Sequence, residues 1–178
     1  MSRQFFADMP YADVPIANLT AIVAVAETGL WTVARYTPIP AFDVRAAKVY
    51  ELVAGGIMSF AATGTLTLTP RYGTSTGGTT FGASVAQTSP GATTNQPWFM
   101  QGILTVRSVG DSGATSTAIF NGKFTTNGLA TAGTSVSMAM GGTSATVDTT
   151  VASGLFMGWT LSVAGTVTPQ QVIWRSLN

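Results

Sequence analysis

Residues 63–72, with the sequence TGTLTLTPRY, decide the fold class of this chain. Threonine and leucine alternate through this stretch, so an extended strand would carry the leucines on one face and the threonines on the other. This period of two predicts a half-buried β-strand. The glycine-rich residues 73–80 and the polar residues 89–97 predict loops.

Further strands are predicted downstream at roughly regular spacing. Residues 98–109 and 115–126 flank the turn sequence Gly110-Asp111-Ser112-Gly113 and therefore predict a β-hairpin. Asn127-Gly128 predicts a second turn. We expect about eight to ten strands in an all-β fold, an antiparallel β-sandwich of jelly-roll type. The remaining predicted strands cover residues 81–87, 136–140, 146–151, 155–163 and 171–177.

Two regions of the first third of the chain leave alternatives open. Residues 43–56 fit either a helix that is ended by a glycine pair or a strand over residues 48–53. We favour the strand, because everything after it is β-like. Residues 19–28 fit a short helix or a strand, and residues 30–36 predict a strand.

Residues 1–29 are predicted to form an N-terminal arm with a possible short helix or strand, and residues 30–178 the sandwich domain. The arm begins with large apolar side chains, and Pro10 and Pro15 interrupt regular structure. Such a segment fits an extended arm on a neighbouring subunit, since twenty extended residues reach roughly 65 Å; the alternative is a disordered tail. The arm residues that we expect at the contact are Phe5, Phe6, Met9 and Tyr11.

The composition offers little reactive chemistry. The 178 residues include no His and no Cys, and 8% are charged, against about 25% in an ordinary soluble domain. Most catalysis needs a titrating base, an activated nucleophile or a metal, so we expect no enzyme, cofactor or metal site. The net charge of +1 gives no electrostatic basis for binding nucleic acid or an anionic membrane. The longest apolar run, residues 21–26, is too short for a signal peptide or for a membrane span, which needs about 20 residues.

The polar side chains fit turn and surface roles. A glycosidase needs two carboxyls about 5–10 Å apart, and Glu51 with Asp148 is the pair that such an enzyme would use. Asp111 lies in the predicted hairpin turn, where aspartate commonly bonds its own backbone. Without His, a serine nucleophile would need Lys48 or Lys123 as its base.

Tryptophan and arginine residues within predicted strands indicate possible contacts with a partner. Tryptophan at such positions anchors a core or a subunit interface, and the alternative is a sugar-stacking platform. Arg107 and Arg175 lie inside apolar strands, so each faces either solvent or a partner. We expect Trp31, Arg107 and Trp174 at an interface. The four tryptophans are Trp31, Trp98, Trp159 and Trp174.

Four segments carry a resemblance to a known group of proteins. They are YTPIPAFDVRAAKVYELVAGGIMS (36–59), GTLTLTPRYGT (64–74), PWFMQGILTVRSVG (97–110) and VIWRSLN (172–178). With these segments, residues 31–178 resemble virion structural proteins of tailed bacteriophages. The resemblance implies a jelly-roll or related β-sandwich that serves as a capsid decoration protein, a head fibre, or a collar or tail component, often as a trimer.

The resemblance leads us to expect a non-enzymatic virion structural protein. Its simplest form is a capsid decoration (cement) protein, made in the host cytoplasm, that trimerises and binds the major capsid protein lattice on the capsid exterior. The alternative is a tail-fibre, head-fibre or collar module that binds host-surface glycans or another virion protein.

Overall fold

The computed structural model describes residues 26–30, 39–42, 44–129 and 134–177. Within these ranges there is no helix, and the strands form two antiparallel sheets, which confirms the predicted all-β sandwich. The predicted arm up to residue 25 and most of the predicted strand 30–36 lie outside the described residues. The strands are β1 (Thr28–Gly29), β2 (Val49–Phe60), β3 (Thr65–Tyr72), β4 (Thr79–Thr80), β5 (Gln87–Thr88), β6 (Thr93–Ser108), β7 (Ser116–Thr126), β8 (Val136–Val147), β9 (Leu155–Leu161) and β10 (Gly165–Ser176).

One bent ribbon connects the two sheets. The long sheet has the order β10-β2-β6-β7-β8, and the short sheet has the order β1-β9-β3-β4, with β5 also paired to β3. Strands β2 and β10 pair in the long sheet, and β3 and β9, which adjoin them along the chain, pair in the short sheet. Ala61 N donates to Ala164 O at 3.1 Å and Ser162 N to Thr65 O at 3.0 Å. These bonds keep the ribbon joined where it crosses between sheets.

Residues 65–72 form strand β3, with the leucines on its inner face as predicted. Leu66 and Leu68 of β3 are fully buried between the sheets, whereas Thr65 and Thr67 on the opposite face remain partly exposed. The predicted hairpin is also confirmed, since β6 and β7 pair on either side of the turn at residues 109–115.

Aromatic side chains fill much of the core. The Trp98 ring packs against those of Phe124 and Trp159, with centroids 5.8 Å and 5.1 Å apart. Tyr50 and Trp174 stack at 5.2 Å. Each large aromatic side chain buries roughly 150–250 Å², so these contacts contribute a large share of the hydrophobic stabilisation.

Residues 81–87 do not form the continuous strand that the sequence predicts. The segment runs antiparallel along one edge of β3, where Phe81 N donates to Pro70 O at 2.9 Å. Pro70 has no N–H to donate back, and Gly82 adopts a left-handed φ of 100°. The ladder is therefore interrupted, and only the two-residue strands β4 and β5 remain at its ends.

The strand predicted at residues 48–53 is confirmed as β2, which extends beyond the predicted end. It continues through Gly55 and Gly56 to Phe60. Strand β6 likewise begins at Thr93, inside the predicted loop 89–97. Gly55 and Gly56 are paired with β10 and β6, and residues 93–97 are paired with β2 across a register shift, so contacts with neighbouring strands keep these stretches extended, which local propensity alone does not indicate.

Two other strand boundaries differ from prediction, because β8 and β10 each continue through a register shift. One strand, β8, covers residues 136–140 and joins them to the start of the strand predicted at 146–151, but it ends at Val147, so residues 148–151 are not in a strand. The pairing of β8 with β7 shifts near Gly141. Gly141 has a φ of 84°, and a Cβ there would overlap Phe120 O, so the position needs glycine. Strand β10 starts at Gly165 and passes Pro169 through a register shift, which an edge strand tolerates.

Candidate functional site

The outer face of the long sheet carries several apolar side chains among polar ones, whereas an exposed sheet face is usually polar. Alternation places every second residue of its strands on this face. Phe99 is 50% exposed, and the other apolar residues of the face are partly exposed. We call this set the outer patch: Val53, Ile57, Phe99, Ile103, Ile119 and Ile173.

Strand register makes the centre of the outer patch continuous. Val53 on β2 lies opposite Ile173 on β10, and Gly55 on β2 lies opposite Phe99 on β6. A Cβ built on Gly55 would stand 4.0 Å from Phe99 Cδ2. The Phe99 ring therefore lies beside the space that Gly55 leaves open.

A carboxylate is buried within this outer face. Glu51 is 8% exposed, and its Oε1 accepts a hydrogen bond from Gln101 Nε2 at 2.8 Å. Its Oε2 accepts from Arg175 Nε at 2.8 Å, and Arg175 Nη2 lies 2.6 Å away. The hydrogen bonds from Gln101 and then Arg175 lower the pKa of Glu51. The negative charge is thus neutralised inside the chain.

In the short sheet, the first described residues add an edge strand, and one of their side chains reaches across the outer face. Residues 26–30, which we call the strap, pair with β9 through β1. From β3, Arg71 donates to both carboxylate oxygens of Glu27 at 2.8 Å, and its Nη1 donates to Gly78 O at 2.9 Å. The Glu27 carboxylate raises the pKa of Arg71. A Cβ on Gly158 of β9 would overlap the Glu27 carboxylate, so the pair lies directly over that glycine.

The predicted interface residues fall in different places. Arg107 is exposed, at the register shift between β6 and β7. Trp174 is in the core, 2% exposed, which leaves the isolated chain little tryptophan surface to offer there. Trp98 and Trp159 are buried as well, so these three do not form an exposed sugar-stacking face. The others, Phe5, Phe6, Met9, Tyr11 and Trp31, lie outside the described residues.

The carboxylates of Glu51 and Asp148 accept hydrogen bonds from other side chains or backbone groups of the chain. Both oxygens of Glu51 accept hydrogen bonds, as described above. Asp148 Oδ1 accepts from the backbone N–H and the hydroxyl of Thr150 at 2.8 Å and 2.6 Å, and these bonds lower the pKa of Asp148. Asp111 lies in the hairpin turn, as predicted. Burial, with a smaller effect of the Asp148 charge, raises the pKa of Tyr72 to about 12.

Sequence reasoning did not find the outer patch, although β2 contains a sign of it. A strand with one solvated face should alternate strictly. Residues 52–58 of β2 instead carry apolar residues on both faces, with Leu52 and Met58 in the core and Val53 and Ile57 outside. The sequence analysis registered no more than partial alternation there, and a face assignment needs the register of the neighbouring strands.

Metal and membrane features were sought in the part of the chain that the structure describes. There, no three or more Asp, Glu, His or Cys side chains come together in a way that could hold a metal ion. Nor does that part contain a helix with the length and hydrophobicity to span a bilayer. No protein-family model, curated protein or solved structure matches the chain at a significant level.

Proposed function

We propose that this chain is a non-enzymatic structural protein of a tailed-bacteriophage virion, a capsid decoration protein that trimerises and binds the major capsid protein lattice from outside. The four-segment resemblance supports the virion assignment. The single observation that carries the mode of action is the outer patch, six outward-facing apolar side chains on a sheet face whose buried carboxylate is already neutralised. Such a face suits work by surface contact.

Contact of this kind gains free energy from the burial of apolar surface. Removing apolar surface from water contributes roughly 25 cal/mol per Å² before the cost of association. On a lattice, many copies bind side by side, so modest contacts add up through multivalency. A decoration protein therefore needs broad, uncharged contact surfaces more than it needs a reactive group.

The proposal is tested with shells that lack this protein. Purified full-length chain is expected to co-sediment with them to a saturating, lattice-defined ratio and to raise the temperature at which the shells open. Density for the chain on the outside of decorated particles would place it directly. A chain that neither binds shells nor occurs in purified virions would overturn the proposal.

The predicted arm is tested separately by deleting residues 1–20. We expect the truncated chain to fold, because the described sandwich lies entirely after these residues, and to bind shells more weakly than the full chain. Circular dichroism serves as the fold control. Shell binding as tight as that of the full chain would remove the arm from the attachment mechanism.

A further inference from the structure

We propose that the outer patch is a self-association surface, covered in solution by a second copy of this chain. The inference rests on the proposed function, because it names the partner of the surface that carries it. The contact would join copies of the chain into the oligomer that attaches to the shell.

The size of the face matches one side of a protein–protein interface. The described long sheet has five strands, and β2 pairs with β6 without interruption from Val49 to Met58. With strands about 4.8 Å apart and a rise of about 3.4 Å per residue, such a face covers roughly 800 Å². Interfaces of standard size bury about 800 Å² per partner. The whole outer face, of which the outer patch is a part, is therefore large enough for a contact with one other copy.

The charges of the face are compatible with an identical partner. Glu51 and Arg175 neutralise each other within one chain. Lys123 and Arg107 are exposed on long side chains that can reach water at the margin of a contact. The whole chain carries a net charge of only +1, so two copies approach with little long-range repulsion.

The polar groups of the face are self-complementary. A contact between copies of one chain requires that the facing surfaces fit each other. Hydroxyl and amide groups satisfy this requirement because each can both donate and accept hydrogen bonds. A face covered with charges of one sign could not do so. Outward-facing residues of this kind in the long sheet are Gln101, Thr105, Asn121, Thr125, Thr168 and Gln171.

Covering Glu51 adds little desolvation cost. An unpaired carboxylate that loses water is strongly destabilising. Glu51 is only 8% exposed in the single chain, and both of its oxygens are hydrogen-bonded to Gln101 and Arg175. Most of the cost of removing water from Glu51 therefore arises during folding, and little is added when a partner covers Glu51 and Arg175.

The first test is sedimentation of the full chain over a wide dilution series, without shells. We expect a mass that is a multiple of 18.3 kDa and that falls on dilution. Phe99→Lys should raise the dissociation constant by at least about tenfold, because it places a charge at the patch centre. The matched control is Val85→Lys, since Val85 is a 78% exposed apolar residue beside β3, away from the long sheet's outer face. The control should associate like the natural chain.

A labelling experiment keeps the inference testable even if Phe99→Lys does not fold. The chain has no Cys, so a single introduced thiol reports on one position. The thiol of Thr105→Cys, on the outer face, should be protected from maleimide at high protein concentration and should react after dilution. The thiol of Val85→Cys should react equally under both conditions.

These outcomes separate the inference from the proposed function. A natural chain that stays monomeric, or an oligomer unaffected by Phe99→Lys with Thr105→Cys fully reactive, overturns self-association through this face. Protection of Thr105→Cys only after shells are added also overturns it, because the occupant is then a capsid protein. Shell attachment still stands in those cases, whereas an oligomer that ignores shells overturns the proposed function alone.

Discussion

The two outer faces of this sandwich both carry a Glu–Arg ion pair, but the pairs have different roles. On the short sheet, Arg71 holds Glu27 with two hydrogen bonds and fastens the strap along the edge of β9. On the long sheet, Arg175 and Gln101 hold Glu51 on the outer face and fasten no further segment among the described residues. One pair fastens an edge strand to its sheet, and the other neutralises a charge on an outer face.

This contrast shows how a chain with few charges uses them. An exposed ion pair contributes little to stability, whereas a partly buried one positions what it joins. Glu27 and Arg71 have side-chain exposures of 21% and 19%, and Arg175 has 54%. The Glu27–Arg71 pair should therefore be the more important one for folding. Substitutions on both sheets measure the difference between the two ion pairs, and their expected effects decrease from the first to the last.

The largest difference should come from the two outward-facing glycines. Gly158→Ala puts a methyl group where the Glu27 carboxylate lies, so the ion pair has to open. We expect the free energy of unfolding to fall by about 2–3 kcal/mol. Gly55→Ala is the matched control, because its nearest contacts are 3.4 Å and 4.0 Å away, and it should change stability by less than about 1 kcal/mol. Urea unfolding measures both. Equal losses would mean that the Glu27 carboxylate does not fill the space above Gly158.

The next largest loss of stability is expected from Arg71→Ala, which removes the side chain that holds the strap. Arg71→Ala leaves the Glu27 carboxylate partly buried without its cation and removes the donor to Gly78 O. We expect a loss of about 2 kcal/mol. Hydrogen exchange should show faster exchange at Leu30 N, which donates to Met157 O at 2.8 Å. An unchanged exchange rate there would mean that Arg71 does not hold the strap.

A smaller effect is expected from Arg175→Ala. The Arg175 side chain is more than half exposed, and Glu51 keeps its hydrogen bond from Gln101 after the change. We expect a loss of about 1 kcal/mol or less in urea unfolding at the same protein concentration. A loss as large as that of Arg71→Ala would show that the two pairs contribute equally to folding.

Some features of the fold can be predicted from one stretch of sequence alone. Strict alternation in residues 63–72 predicts the inward leucines of β3, because one strand alone contains that information. The Gly-Asp-Ser-Gly turn predicts the β6–β7 hairpin in the same local way. These features need no knowledge of distant residues, and the structure confirms them.

Both ion pairs, by contrast, depend on contacts between distant parts of the chain. Glu27 and Arg71 are 44 residues apart, and Glu51 and Arg175 are 124 apart. The failure at residues 81–87 has the same origin, since the interruption depends partly on Pro70 in the neighbouring strand. The outer patch also emerges only when the register places residues of four strands side by side. A single sequence carries the residues of these sites, and the topology brings them together.

The smallest expected effect is a pH dependence confined to acid. The pKa of Glu51 in the folded chain lies below its ordinary value of 4.5. A carboxyl with a depressed folded pKa contributes stability above its unfolded pKa, and that contribution is lost as the pH falls from about 4.5 through the folded value. Glu51→Gln should therefore flatten the dependence of the unfolding free energy on pH below about 4.5 and leave its slope above pH 6 unchanged.

Gln101→Ala sharpens this prediction, because the hydrogen bond from Gln101 is the largest cause of the lowered pKa. Removing that donor should move the Glu51 titration, followed by carboxyl NMR shifts, back toward 4.5, while Arg175 still holds the second oxygen. Arg175→Ala should move it in the same direction, since it removes both a hydrogen bond and a positive charge that lower the pKa of Glu51. A Glu51 carboxyl that titrates at its ordinary value in the natural chain would mean that the hydrogen bonds from Gln101 and Arg175 do not outweigh the effect of burial, which contradicts the prediction.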